Sequence, residues 1–474
     1  MLFSSITFIY LFLPAVLLVY YLFLKKHRTL SNVFLFAASI LFYGWGEPKF
    51  VFVMLASIVL NWFLGICVHN AMQKEKPAIA KTVVALACVC NLGLLFVFKY
   101  LNFTENILCS LFGISPKAAQ IALPIGISFF TFQALSYVLD VYRKKGEVQK
   151  NLLNVGLYIA FFPQLIAGPI VRYETVAQEI NYRRETCDEV FDGFARFIVG
   201  LGKKVLLANA FGILADRIFG LVSSGNTVSV ATAWLGAIAY TFQIFFDFSG
   251  YSDMAIGLGR MFGFHFLENF NFPYISKSIT EFWRRWHISL GSWFRDYVYI
   301  PMGGSRVGKA RLVLNLFVVW FLTGMWHGAN LTFVVWGLMY FVLLTIEKLI
   351  GFANRERKVP AVFKWIYTMF FVVLGWVIFR SDSLTSAGNY IKCMFGFASA
   401  SFCDGYFIAS FTQTAVMLAV AVLCSVPLAQ KLKSRLEGKL IYDVGCIVCL
   451  VGLFVLCLTS LVANSYNPFI YFNF

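Results

Sequence analysis

The chain has 474 residues, 60% hydrophobic, 18% aromatic and only 13% charged. With a mean hydropathy of +0.76, this composition excludes an ordinary soluble domain and points to a polytopic membrane protein. The net charge of +16 sits at the ends of apolar runs, as the positive-inside rule requires, so it reads as topology and contact with anionic lipid rather than nucleic-acid binding.

A spanning helix needs about 20 mainly apolar residues, and runs of that kind recur along the chain. The alternating ten-residue segments of a membrane barrel do not. The first run, 5–24, meets Lys25-Lys26-His27-Arg28. A cleaved leader carries its charges before the apolar core, so this run reads as an uncleaved span with its basic end inside. Spans at 31–46 and 50–70 follow, joined by Gly46-Glu-Pro-Lys49, and Lys74, Lys76 and Lys81 then fall inside. Further spans are expected at 82–100 and 120–141, the second ending at Arg143-Lys144-Lys145. The stretch 152–171 contains Pro163, Gly168 and Pro169, so a broken or re-entrant element is expected there.

Residues 187–216 and 227–262 are helical in character but polar. Within the second, Asp247-Phe-Ser-Gly-Tyr-Ser-Asp253 places two carboxylates in apolar surroundings. On a helix they align only partly. They either form a packing network with nearby arginines or orient a substrate or a histidine. Residues 264–311 are no span. They hold Pro273, Pro301, Gly303 and Gly304, with Trp283, Trp286 and Trp293 among Arg284, Arg285 and Arg295, the composition of an interfacial helix. The Gly303-Gly304 turn beside Arg306 is a weak phosphate-binding signal. Later spans are expected at 313–326, 331–346, 361–379, 412–429 and 441–463. Basic residues put 25–28, 143–150, 306–311, 348–358 and 431–439 inside, leaving 381–411 and the C-terminal tail outside.

The expected fold class is therefore all-α: about ten to twelve transmembrane helices, plus re-entrant or interfacial helices, in a single body over 1–474 with a catalytic core at about 120–350. Eleven cysteines are scattered, mostly in apolar runs, where Cys acts as a small hydrophobe. The Cys446/Cys449 pair has no second pair or histidine nearby, so no metal site is expected.

Two of only five histidines stand out. His327 lies in Phe321-Leu-Thr-Gly-Met-Trp-His-Gly-Ala-Asn330, between apolar arms of about 14–16 residues, short for a full crossing. The turn is thus expected at membrane depth, where an ionisable group marks a cavity or chemistry. His287 lies in Phe282-Trp-Arg-Arg-Trp-His287.

These segments resemble the membrane-bound O-acyltransferase family, in its branch of alginate O-acetyltransferase membrane subunits. The resemblance covers most of the chain: Met1-Leu-Phe-Ser-Ser-Ile-Thr-Phe, Pro124-Ile-Gly-Ile-Ser-Phe-Phe-Thr-Phe-Gln133, Phe161-Phe-Pro-Gln-Leu-Ile-Ala-Gly-Pro-Ile170, Phe246-Asp-Phe-Ser-Gly-Tyr-Ser-Asp253, Asn271-Phe-Pro-Tyr274, Phe282-Trp-Arg-Arg-Trp-His287 and Met325-Trp-His-Gly328. It implies helices around a central tunnel, a cytosolic acyl donor and an acceptor hydroxyl on the far side. By the likeness His327 is catalytic and His287 is the second active-site position, holding the donor carbonyl or orienting the other group. Trp326, Trp286, Asp247, Asp253 and Asn330 would line the substrate path, and Arg284, Arg285 and Arg306 would meet the donor. Acetyl-CoA is the implied donor substrate, with no bound cofactor. The implied setting is the bacterial inner membrane, with a separate extracytoplasmic SGNH-hydrolase-like acetyltransferase as partner. The alternative within the family is D-alanyl transfer to teichoic acid from an acyl carrier protein. The alternative outside it is a polysaccharide or lipid transporter, for which inverted repeats and paired broken helices are wanting.

Overall fold

The computed structural model describes residues 1–114, 121–352, 359–398, 401–436, 438–464 and 466–470. Among these, all regular structure is helical. Ten helices are long and apolar enough to cross a membrane, and a shorter apolar helix, Phe8–Leu24, precedes them. Arg355, Arg357 and Lys358 of the expected inside loop lie outside the described residues, as do position 120 at the start of an expected span and the last four residues of the tail. The described residues divide into two compact units: Met1–Ile198 with Tyr251–Leu267, and Val199–Gly250 with Glu268–Ile470.

In the first unit, helices Arg28–Gly46, Val51–Gln73 and Pro77–Phe112 are the long spans. Pro77 stands in the first turn of its helix, where a missing N–H costs nothing. That helix runs well past the expected 82–100, through a π turn at Phe96–Tyr100. Buried Asn61 and Asn91 exchange hydrogen bonds of 3.0 and 2.8 Å, which satisfies both amides where water is absent. The expected span 120–141 is a helix only over Ile127–Tyr142. Pro124 removes a donor, and Gly126 is left-handed at φ 75°, so the helix starts after them. The stretch 152–171 is broken as expected: helix Leu152–Ala160 stops before Pro163.

The second unit is organised around the antiparallel helices Lys309–His327 and Leu331–Leu349. Gly324 and Gly337 allow this pairing. A Cβ on Gly324 would stand 2.5 Å from the Phe333 carbonyl oxygen, and one on Gly337 would stand 2.5 Å from that of Trp320. Small residues at such crossings let membrane helices approach closely. Each helix has 19 residues, about 28 Å at ~1.5 Å per residue, so neither arm is short for a crossing. The count of 14–16 apolar residues misses the polar ends, Lys309 and Arg311 on one helix and Glu347 and Lys348 on the other, which extend both. The helix expected at 412–429 is found at Gly405–Cys424, because Asp404 caps it by accepting the Phe407 N–H at 2.8 Å. The last helix, Leu440–Ala463, buries only Cys457 fully, as suits a span facing lipid.

Candidate active site

His327 ends its helix, and Gly328 follows in an extended conformation. A Cβ on Gly328 would run into the Phe333 ring, so a larger residue at this turn requires that ring to move. Asn330 then caps the next helix. Its Oδ1 accepts the Thr332 N–H at 3.1 Å, and its Nδ2 donates to the Asp382 carbonyl at 2.8 Å. Asn330 thus fixes the turn that presents His327. The imidazole is buried at 4% exposure, with its ring centroid 5.1 Å from those of Trp326 and Trp336 and 5.2 Å from that of Phe379.

His287 reaches the same aromatic wall from another segment. Helix Ile279–Arg285 begins at Ser278, whose hydroxyl caps it. Its first turn is also clamped by the buried carboxylate of Glu347, which accepts the Ile279 N–H at 2.7 Å, the Thr280 N–H at 2.9 Å and the Thr280 hydroxyl at 2.6 Å. A carboxylate on an N-terminus satisfies orphan donors and complements the helix dipole. Glu347 belongs to helix Leu331–Leu349, so this contact ties the Trp-Arg-Arg-Trp helix to the hairpin bearing His327. At the far end the chain turns at His287, which is left-handed at φ 46°, uncommon for a non-glycine residue and a conformation that clusters at functional sites.

Asn269 holds His287. Its Oδ1 accepts the Ser289 N–H at 3.2 Å and hydroxyl at 2.9 Å, and lies 3.2 Å from His287 Nδ1. An oxygen accepting from all three puts the His287 proton on Nδ1 and makes Nε2 the acceptor nitrogen. Burial pushes the His287 pKa down to about 3, so the ring is neutral at any physiological pH. Of the two roles implied for it, orienting a hydroxyl suits an acceptor nitrogen, whereas holding a carbonyl needs a donor. The His287 ring packs edge-on against Phe248 at 4.6 Å and lies 5.8 Å from Trp326. Trp326 therefore contacts both imidazoles.

The other expected residues separate. Trp286 is buried in a cluster with Phe270 at 5.0 Å and Trp376 at 4.8 Å, and Trp376 stacks on Trp336, the neighbour of His327. Asp247 is ion-paired with buried Lys204 at 2.7 Å and accepts the Ile470 N–H at 2.9 Å. Asp253 is paired with Arg196 at 2.8 Å and belongs to the other unit. Both carboxylates thus have packing partners. Arg285 is engaged by Glu281 one turn away, at 2.9 Å, while Arg284 and Arg306 are exposed. Sequence reasoning missed Asn269, Ser289, Glu347, Trp336 and Phe379. Only Asn269 left a trace, two residues before the Asn271-Phe-Pro-Tyr274 motif.

Comparison with known proteins matches this arrangement to one group. Residues 147–387, which include both histidines, match the profile of MBOAT, the membrane-bound O-acyltransferase family. The chain is 39% identical, over its full length and that of the relative, to the probable alginate O-acetylase AlgI of Pseudomonas putida. It is 34% identical to the peptidoglycan O-acetyltransferase of Helicobacter pylori, over 85% of this chain and 81% of the relative. A teichoic acid D-alanyltransferase of Bacillus subtilis is more distant, at 29% over 54% of this chain and 68% of the relative. With its buried histidine pair, its helical membrane body and a match of this extent, the chain belongs to the membrane-bound O-acyltransferase family.

Proposed function

We propose that this protein, in the bacterial inner membrane, takes an acetyl group from acetyl-CoA on the cytoplasmic side and passes it to a hydroxyl on the other side, for O-acetylation of an extracytoplasmic polysaccharide of the alginate type. The observation that carries the reading is the placement of two buried imidazoles against one indole, Trp326. His327 removes the hydroxyl proton as general base. The alkoxide oxygen bonds to the thioester carbonyl carbon, the carbon–sulfur bond breaks, and the thiolate leaves and takes up the proton. His287, neutral and held by Asn269, accepts through Nε2 a hydrogen bond from a second hydroxyl of the acceptor, because the reacting hydroxyl has one proton and gives it to His327. The exposed Arg306, Lys309 and Arg311 raise the local concentration of the anionic donor by steering. Coenzyme A is too large and charged to cross a bilayer, so only the acyl group moves through the protein. An extracytoplasmic SGNH-hydrolase-like acetyltransferase then completes delivery to the polymer.

The donor is tested with the purified protein in nanodiscs, offered either labelled acetyl-CoA or a D-alanylated carrier protein. Release or transfer of acetyl from acetyl-CoA is the expected result. Reaction with the carrier protein alone would favour D-alanyl transfer, and movement of a solute without acyl chemistry would favour a transporter.

A further inference from the structure

The first unit contains a cavity of about 900 Å³ at the ends of helices Val51–Gln73 and Ile127–Tyr142. None of its wall takes part in the acyl transfer above. The volume is within the range of small-ligand sites, about 300–1,000 Å³.

One wall is the loop 144–150, and its backbone is held firmly. The Lys145 N–H donates to the Asp140 carbonyl at 2.9 Å. The Tyr173 hydroxyl donates to the Glu147 carbonyl at 2.5 Å, the Gln149 N–H to the Tyr137 hydroxyl at 3.2 Å, and Trp62 Nε1 to the Lys150 carbonyl at 3.1 Å. Lys144 is left-handed, at φ 57°. A fixed backbone therefore presents the side chains of this loop to the cavity, so less ordering entropy is lost when they bind something.

The charges on the wall do not cancel. Lys145 is paired with Glu174 at 3.0 Å, and Glu174 is also held by Arg172 at 2.9 Å. Lys144 and Lys150 line the cavity and have no side-chain partner among the described residues. Glu147 is the opposing carboxylate on the wall, and His69 adds a further nitrogen. The amides of Gln178 and Asn181 line the same cavity. Ammonium and amide groups together complement an anion with several acceptor oxygens. The chain that follows helix Val51–Gln73 carries Lys74, Lys76 and Lys81, whose charge opposes the partial negative charge of that helix's C-terminal end. Basic pockets between helices at the cytoplasmic face suit phosphate head groups.

We propose that this cavity binds a phosphate-bearing ligand through Lys144 and Lys150. An anionic lipid head group and a free nucleotide share that chemistry, and the experiment separates them. Purified protein is loaded into nanodiscs of phosphatidylcholine with or without phosphatidylglycerol, and retained lipid is measured by native mass spectrometry. ADP binding is measured in parallel by equilibrium dialysis. A lysine near such a phosphate contributes about fivefold in affinity, so K144Q/K150Q weakens binding of the relevant probe by about 25-fold, while K144R/K150R retains it. Both lysines are exposed, and the melting temperature checks that the variants fold. Ala177→Trp, which fills the cavity without changing charge, weakens binding as well. Loss of phosphatidylglycerol alone identifies a lipid head group, and loss of ADP alone identifies a free nucleotide. If neither probe binds above the phosphatidylcholine background, or if K144Q/K150Q binds as the parent does, the proposal is overturned.

Discussion

Replacing His327 with alanine should lower acyl transfer by about 10²–10⁴-fold, the usual cost of losing a general base, in a protein that still inserts. The reason is positional. His327 closes a 19-residue helix at a turn where Gly328 packs against the Phe333 ring, and its own ring lies against Trp326, Trp336 and Phe379. Nothing in that wall can replace a proton acceptor. His327→Gln, which keeps most of the volume, should be nearly as inactive as His327→Ala, which separates chemistry from packing. His287→Ala should also lose activity, and the double variant should be little worse than His327→Ala alone, because groups acting as a unit are not additive. Near-normal acetylation by a well-expressed His327 variant would remove the base from the mechanism, and fully multiplicative losses would separate the two histidines.

Asp247→Ala should destabilise the protein by about 3–5 kcal/mol, the cost of leaving a buried charge without its partner. The Asp247 and Lys204 side chains are 2% and 3% exposed and 2.7 Å apart. Lys204 has a second partner in Asn209 Oδ1 at 2.8 Å, but a neutral amide does not balance its charge. A loss of this size is a large part of the roughly 5–15 kcal/mol that holds a protein folded, so thermal unfolding in detergent should shift well below the parent. Asp247→Ala combined with Lys204→Met should recover much of the loss, since exchanging both charges for apolar groups is often near neutral. A parent-like melting temperature for Asp247→Ala would contradict the stabilising pair, and lost activity with unchanged stability would support the expected place of Asp247 on the substrate path.

The membrane class, most of the spans and the two unusual histidines were legible because they rest on local signals: apolar length, basic flanks and the rarity of an ionisable group in an apolar run. Span ends were less legible. The apolar count stops at Lys309, Arg311, Glu347 and Lys348, yet these residues continue the helices: the long side chains of Lys309, Arg311 and Lys348 reach polar surroundings from a helix end, and buried Glu347 is satisfied by the N–H groups of Ile279 and Thr280. The partners of the site were not legible either. Glu347 reads in sequence as a charge at the end of a span and only in three dimensions as the cap of Ile279–Arg285. Asn269 is 18 residues from His287, and no spacing rule links them. For the same reason the two aspartates were ambiguous: their cations, Lys204 and Arg196, are supplied by a different helix.

We propose that an acyl group, and not its carrier, crosses the membrane through this protein under the control of His327. The most direct measurement uses sealed proteoliposomes with acetyl-labelled acetyl-CoA outside and a hydroxyl acceptor enclosed. The protein fraction oriented with its 306–311 loop outward should put label on the enclosed acceptor while coenzyme A stays outside, and His327→Ala liposomes should leave the acceptor unlabelled. Label that appears only when acetyl-CoA is enclosed with the acceptor, or that is transferred equally by the His327 variant, would contradict it.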